Sequence, residues 1–231
     1  VTTKLMFALW DVDAAALHAP ELHAVLAAAG VVRLQLNTDD EHVAAAMRIP
    51  TGPAPIAAVV SVWVPSVEAA SLVTAALAAV TGTLAGWEVE ERRPIEPPET
   101  WDGSRLDGLA NIAILRRPDE LDVEEWRNRW LVDHTPVAIE TQATFGYLQN
   151  VVVAPVTAMP DDVAPVAALV EELFPAEAMT DMHAFYGSGG DDVELTDRIT
   201  RLMASVARIG ADRGLDLVPT SRHLYELSDR T

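Results

Sequence analysis

The sequence predicts an α+β fold in which two βαββαβ units in tandem close on one another as a barrel of antiparallel strands. Three observations predict it. Strand and helix signals recur in the same order in the two halves of the 231-residue chain. Short echoes fall at matching places in the two series. The strand segments are nearly continuous apolar runs, whereas a sheet with one wet face should alternate, so both faces of each sheet are expected to be dry.

Each element has its own signal. In the first half, KLMFALW (4–10) reads as a strand, and ELHAVLAAAG (21–30) as a short helix stopped by Gly30. VVRLQLN (31–37) and IAAVVSVWV (56–64) are the second and third strands, SVEAASLVTAALAAVTG (66–82) a helix, and GWEVEERR (86–93) the fourth strand. In the second half, LANIAILRR (109–117) is a strand and residues 122–144 a helical region. GYLQNVVVA (146–154) and APVAALVEELF (164–174) are strands. Residues 176–187 and 192–214 are helical, and SRHLYELSD (221–229) is the last strand. This order in each half is the ferredoxin-like one. His18-Ala19-Pro20 echoes His134-Thr135-Pro136, Leu34-Gln35 with Asn37 echoes Leu148-Gln149-Asn150, and Pro65 answers Pro175. Residues 1–96 are read as a degenerate repeat that has lost most of the helix before its His-x-Pro. Residues 97–108, rich in Pro, Gly and charge, are the linker, and 109–231 the second repeat. Two dry sheets brought together form a pseudo-dimeric barrel, with room for a small apolar ligand between them or with a filled core.

Composition excludes several classes. The net charge of −19 repels nucleic-acid phosphates and anionic membranes. No apolar run approaches the roughly 20 residues of a spanning helix. The N-terminus lacks a basic region followed by an apolar stretch and a cleavage site, so no export signal is seen and a cytoplasmic protein is expected. The chain starts with Val and not Met, which suggests processing or an artificial boundary. Without Cys there are no thiol nucleophiles, thiolate metal sites or disulfides. Lys4 is the only lysine, which sets Schiff-base chemistry aside.

The helical region around His134 is the richest in chemistry. Asp122 and Glu125 form an acidic capping-box-like start. Trp126, Trp130, His134, Val137, Ala138 and Thr141 follow helical spacing, so His134 shares the stripe expected to face the sheet. Pro136 cannot donate to the carbonyl of Val132, and Thr135 is a good N-cap, so a kink or restart is expected at His134. Freed carbonyls near Val132 and Asp133 could accept from the imidazole. His134 is then either a packed residue bracing the joint or a neutral imidazole facing an apolar cavity, its pKa lowered by burial and able to act as general base.

These residues carry a resemblance. Trp126, Trp130, His134 and Pro136, then Tyr147, Gln149 and Asn150, then Glu171 and Phe174 resemble the motif of the EthD-like family of dimeric α+β barrel proteins. The resemblance covers about Leu109 to Thr231. In the first half only the element order, His18-x-Pro20 and the strand echoes remain. The family builds its barrel from two chains, so a tandem copy implies a monomeric pseudo-dimer or a homodimer of such chains. The resemblance implies His134 as the catalytic base, with Asn150, Tyr147 or Gln149 holding a substrate oxygen. It implies substrate contacts from Trp126, Trp130, Gln149, Glu171 and Phe174, with His18 the vestigial partner of His134. Strand alternation puts Tyr147 and Gln149 on one face and Asn150 on the other; Glu171 and Glu172 also face opposite ways, one of them solvated.

Other constellations lead nowhere. His18 and His23 have no third ligand nearby in sequence, so no metal site is expected. The glycines of FYGSGGDD end in two aspartates that repel phosphate. His42 sits in a solvated acidic loop, and no Ser lies in a G-x-S-x-G setting. A haem would need His134 as its ligand; no cofactor is expected. The preferred reading is a cofactor-free lyase, cyclase or decarboxylase acting on a small hydrophobic, oxygenated aromatic molecule of polyketide type. The alternatives are a non-catalytic small-ligand binding protein, a cofactor-independent monooxygenase, and a structural fusion with a filled core.

Overall fold

A computed structural model describes residues 2–52, 54–160 and 163–228; the end of the predicted last strand, residue 229, lies outside them. Eight strands close a barrel. The first half supplies β1 (Thr3–Val12), β2 (Arg33–Thr38), β3 (Ala58–Val64) and β4 (Thr81–Ile95). A short β5 (Asp102–Arg105) follows within the Pro- and Gly-rich stretch. The second half supplies β6 (Leu109–Leu115), β7 (Gly146–Pro155), β8 (Ala168–Phe174) and β9 (Asp216–Glu226). The order around the barrel is β2-β3-β1-β4-β7-β8-β6-β9, with β9 pairing back onto β2 and β5 extending beside β9. All these pairings are antiparallel.

The two seams between halves are made by long strands. β4 runs beyond its predicted end because it pairs first with β1, up to Lys4 opposite Val89, and then with β7, as far as Ile95 opposite Tyr147. β9 begins earlier than predicted, paired with β6 from Asp216 to Thr220, and then lies against β2 from Ser221 to Glu226.

β1 shows why the strands read as continuous apolar runs. Leu5, Phe7 and Leu9 face outward into one core, and Met6 and Ala8 face inward into another. Inside the barrel, Met6, Val59, Trp87, Ile112, Leu169 and Val218 form an apolar cluster. Beside it lies a buried polar network. Lys4 bonds Glu91 and, at 2.9 Å, Asn150 Oδ1. Arg222 lies 3.0 Å from Glu171, whose carboxylate also accepts from Gln35 Nε2 at 2.9 Å and Asn37 Nδ2 at 3.0 Å. A buried ion pair tolerates its desolvation when such hydrogen bonds satisfy it. Side chains therefore occupy the space between the two sheets where room for a ligand was allowed by the sequence.

Helices cover the outer faces. In the first half these are α1 (Ala14–Leu17), α2 (Pro20–Ala28) and α3 (Ala70–Ala78). Leu5, Phe7, Leu34, Val62, Leu26 and Leu77 fill the layer beneath them. In the second half α4 (Val123–Asn128) leads through a π-helical turn, Arg129–His134, directly into α5 (Thr135–Thr141). α6 (Met182–Tyr186) and α7 (Asp192–Arg208) follow. The joint expected at His134 is thus a widened turn, through which the chain stays helical. Proline lacks the N–H and crowds the carbonyl four residues back; one extra residue in the preceding turn relieves both constraints. The N–H of Thr135 reaches the carbonyl of Trp130, five residues back, and its hydroxyl donates to the same oxygen at 3.1 Å. Thr135 is helical and braces the wide turn instead of capping a new helix. No helix among the described residues is long and apolar enough to cross a membrane.

Candidate active site

A cavity of about 660 Å³ lies between the outer face of the second-half sheet and its helices. Its floor carries a row of polar side chains set by strand register. Glu172 on β8 stands opposite Tyr147 on β7 and opposite Asn111 on β6, so the three lie side by side on the cavity face. Cross-strand neighbours of this kind are about 5 Å apart at Cβ. Trp130 and His134 line the wall from the π turn, and Leu202, Val206 and Tyr186 add apolar surface from α7 and α6.

The electrostatics follow from burial. Glu172 makes no hydrogen bond or ion pair among the described residues, and burial pushes its carboxyl up to about 7. Burial, with the Glu172 carboxylate beside it, pushes Tyr147 well above the usual phenol range. Tyr147 is held by Gln149, whose Nε2 donates to the phenol oxygen at 3.3 Å and to Thr135 Oγ1 at 2.7 Å. Burial pulls His134 down to about 4, so its imidazole is neutral at ordinary pH. Its Nδ1 is 2.9 Å from Ser205 Oγ on α7, not from the carbonyls near Val132 and Asp133, and Nε2 has no hydrogen-bond partner among the described residues. Asn111 is buried, and its Oδ1 has no partner among the described residues.

Of the residues singled out from sequence, the cavity brings together His134, Tyr147 and Trp130. Gln149 shares their face and acts from behind Tyr147. Trp126 stands behind Trp130, ring centroids 5.1 Å apart, with its Nε1 donating to the carbonyl of Ile209. Phe174 is fully buried and stacks on Phe185, a wall residue. Asn150 and Glu171 lie on the opposite face, inside the barrel, bound to Lys4 and Arg222. The two glutamates face apart as expected: Glu171 is buried in the barrel, and Glu172 is partly exposed on the cavity floor. His18 is in the first half, 2.6 Å from the Tyr225 hydroxyl and beside His223. Glu172, Asn111, Ser205 and Tyr186 were missed. Strand alternation offered Glu171 or Glu172, and only the register against Tyr147 selects between them.

The described lining residues include no Lys or Arg, while Glu172 and Asp212 are present. A haem does not fit such a lining, because nothing there would pair with its two propionates. No cluster of His, Asp and Glu able to hold a metal ion occurs among the described residues.

No family model and no curated protein matches the chain. Solved structures do. An anthrone oxidase-like protein is 9% identical with a TM-score of 0.57, the match covering 99% of this chain and 95% of that one. A candidate monooxygenase from Lactobacillus acidophilus NCFM is 9% identical with a TM-score of 0.48, covering 99% and 98%. Another from Fusobacterium nucleatum is 10% identical with a TM-score of 0.47, covering 96% and 94%. The first of these likenesses shows a shared fold, the α+β barrel.

Proposed function

We propose that this chain is an enzyme that removes a proton from a small, mostly apolar, oxygenated aromatic molecule held in the cavity of the second half. Glu172 is the general base; Tyr147, Asn111 and the neutral His134 hold the oxygen on which charge develops. The observation that carries this reading is the unpaired Glu172 between Tyr147 and Asn111 on an apolar floor. A carboxylate with a pKa near 7 is matched to proton abstraction at neutral pH. His134, near 4, is too weak a base to compete, so the role expected for it from sequence passes to Glu172. The EthD-like motif around His134 and the barrel shared with the anthrone oxidase-like protein support the substrate class. In this reading both halves are ferredoxin-like repeats; the second keeps the polar site, and the first, residues 1–96, is the degenerate copy.

The first step is common to two outcomes. The substrate C–H proton passes to Glu172 and its electron pair stays on carbon as an enolate. In oxygenation the carbanion reduces dioxygen, forming a carbon–peroxide bond that loses water to leave a carbonyl. In a lyase or cyclase reaction the same carbanion eliminates or closes a ring. Decarboxylation has the least support, because no cation among the described lining residues would hold a carboxylate.

Anthrone in deuterated buffer tests the reading. The wild type is expected to accelerate hydrogen exchange at the acidic carbon without air, with a rate that rises with pH through about 7. Glu172→Gln should lower that rate by about a hundredfold or more. Exchange by Glu172→Gln at the wild-type rate would sink the proposal. In air, oxygen uptake with quinone formation assigns the oxygenase outcome, and exchange without uptake assigns the other.

A further inference from the structure

The mouth of the cavity is built in part by the first half of the chain. Residues 47–51, between β2 and β3 of the first half, cross to the second and contribute Met47, Ile49, Pro50 and Thr51 to the lining. The segment is braced. Ile49 exchanges two backbone hydrogen bonds with Leu217 of β9, at 3.0 and 2.9 Å. Thr51 donates to Asp216 from its backbone at 2.8 Å and from its hydroxyl at 2.9 Å, and Arg116 holds the same carboxylate at 2.7 Å. Arg48 pairs with Asp39 at 2.6 Å and donates to the carbonyls of Ala44 and Ala46. On this fixed backbone Met47 and Ile49 are left 67% and 39% exposed. Met203 on α7, 47% exposed, lines the same cavity. Exposed apolar side chains gathered from two halves around an apolar opening are what a ligand mouth requires, and unbranched methionines adapt to the shape that fills it.

We infer that Met47, Ile49 and Met203 form the specificity-determining rim of the cavity, selecting uncharged aromatic ligands by size. The inference rests on the reading of this cavity as the binding site. The described lining carries no cation and includes Asp212 and Glu172, so anionic ligands are disfavoured. The first half thereby helps to set the ligand range of a site whose proposed base, Glu172, belongs to the second.

Binding of two neutral phenols tests this: two-ring 1-naphthol and four-ring 1-pyrenol, titrated calorimetrically at pH 6. Met47→Trp and Met203→Trp are expected to weaken pyrenol by about tenfold while leaving naphthol within about twofold. Met47→Ala should weaken both by about threefold through lost contact. Val193→Trp, also on α7 but 80% exposed and off the lining, should change neither. Equal affinities of the Trp variants and wild type for both phenols would overturn the rim assignment and leave the cavity reading intact. Failure of the wild type to bind either phenol would overturn both.

Discussion

At the scale of single residues, Glu172 and His134 strain the fold in opposite directions of pH. Burial raises Glu172 from 4.5 to about 7, so the folded chain holds this proton more tightly than the unfolded chain. Below pH 4.5 both forms are protonated and the contribution is intact. As pH rises toward 7 the unfolded chain loses its proton first, and stability falls by about 3 kcal/mol once the folded carboxyl has ionised. His134 behaves in reverse: lowered from 6.5 to about 4, its contribution is whole above pH 6.5 and is lost as pH falls toward 4. Glu172→Gln removes the first effect and leaves the second. Urea unfolding at pH 5 and pH 8 checks it. The variant should match wild type at pH 5 and exceed it by about 2–3 kcal/mol at pH 8; a variant no more stable at pH 8 would mean the carboxylate is not held at a cost. Which of two adjacent glutamates plays this part was not legible in the sequence. Alternation says that they face apart, and the choice is made by a register between strands 25 residues distant, in which Tyr147 meets Glu172.

At the scale of elements, the helix of His134 shows what periodicity reads and what it misses. The stripe of Trp126, Trp130 and His134 was legible, and all three are buried on the sheet-facing side. The continuity through Pro136 was not, because a proline penalty can be met by widening the turn before it as well as by ending the helix. The widened turn depends on Thr135, whose hydroxyl donates to the Trp130 carbonyl and accepts from Gln149, which in turn holds Tyr147. Backbone geometry and cavity floor are thus linked through one hydroxyl. Thr135→Val keeps the shape and removes both bonds. It should cost about 0.5–1.5 kcal/mol of stability, since the Trp130 carbonyl keeps only the Thr135 N–H and Gln149 keeps only its longer bond to Tyr147. It should also lower anthrone exchange, because Gln149, which holds Tyr147, loses its anchor on Thr135. Loss of stability with exchange unchanged would separate the turn from the site.

At the scale of the molecule, closure within one chain and the place of the ligand space have different origins. Closure was legible: strands dry on both faces, in two series of the same order, must cover each other. The place of the ligand space was not, since it depends on volumes summed over facing surfaces. Trp87, Met6 and Ile112 fill the barrel, leucines and valines fill the layer between the first-half sheet and its helices, and the layer between the second-half sheet and its helices stays open. The β2–β9 seam adds a feature that apolar runs cannot announce. Gln35 and Asn37 of β2 and Arg222 of β9 converge on Glu171 of β8, a carboxylate 1% exposed. Arg222→Leu leaves that carboxylate buried with amide donors alone, and removing one partner of a buried pair costs about 3–5 kcal/mol. Removing both charges, in Glu171→Leu with Arg222→Leu, should recover most of the loss, because the desolvation of both ions disappears with their attraction. Urea unfolding of the two variants and the wild type checks the order. A single variant as stable as wild type would show that apolar packing alone closes the barrel; a double variant less stable than the single would show that Glu171 is held by Gln35 and Asn37 whatever Arg222 does.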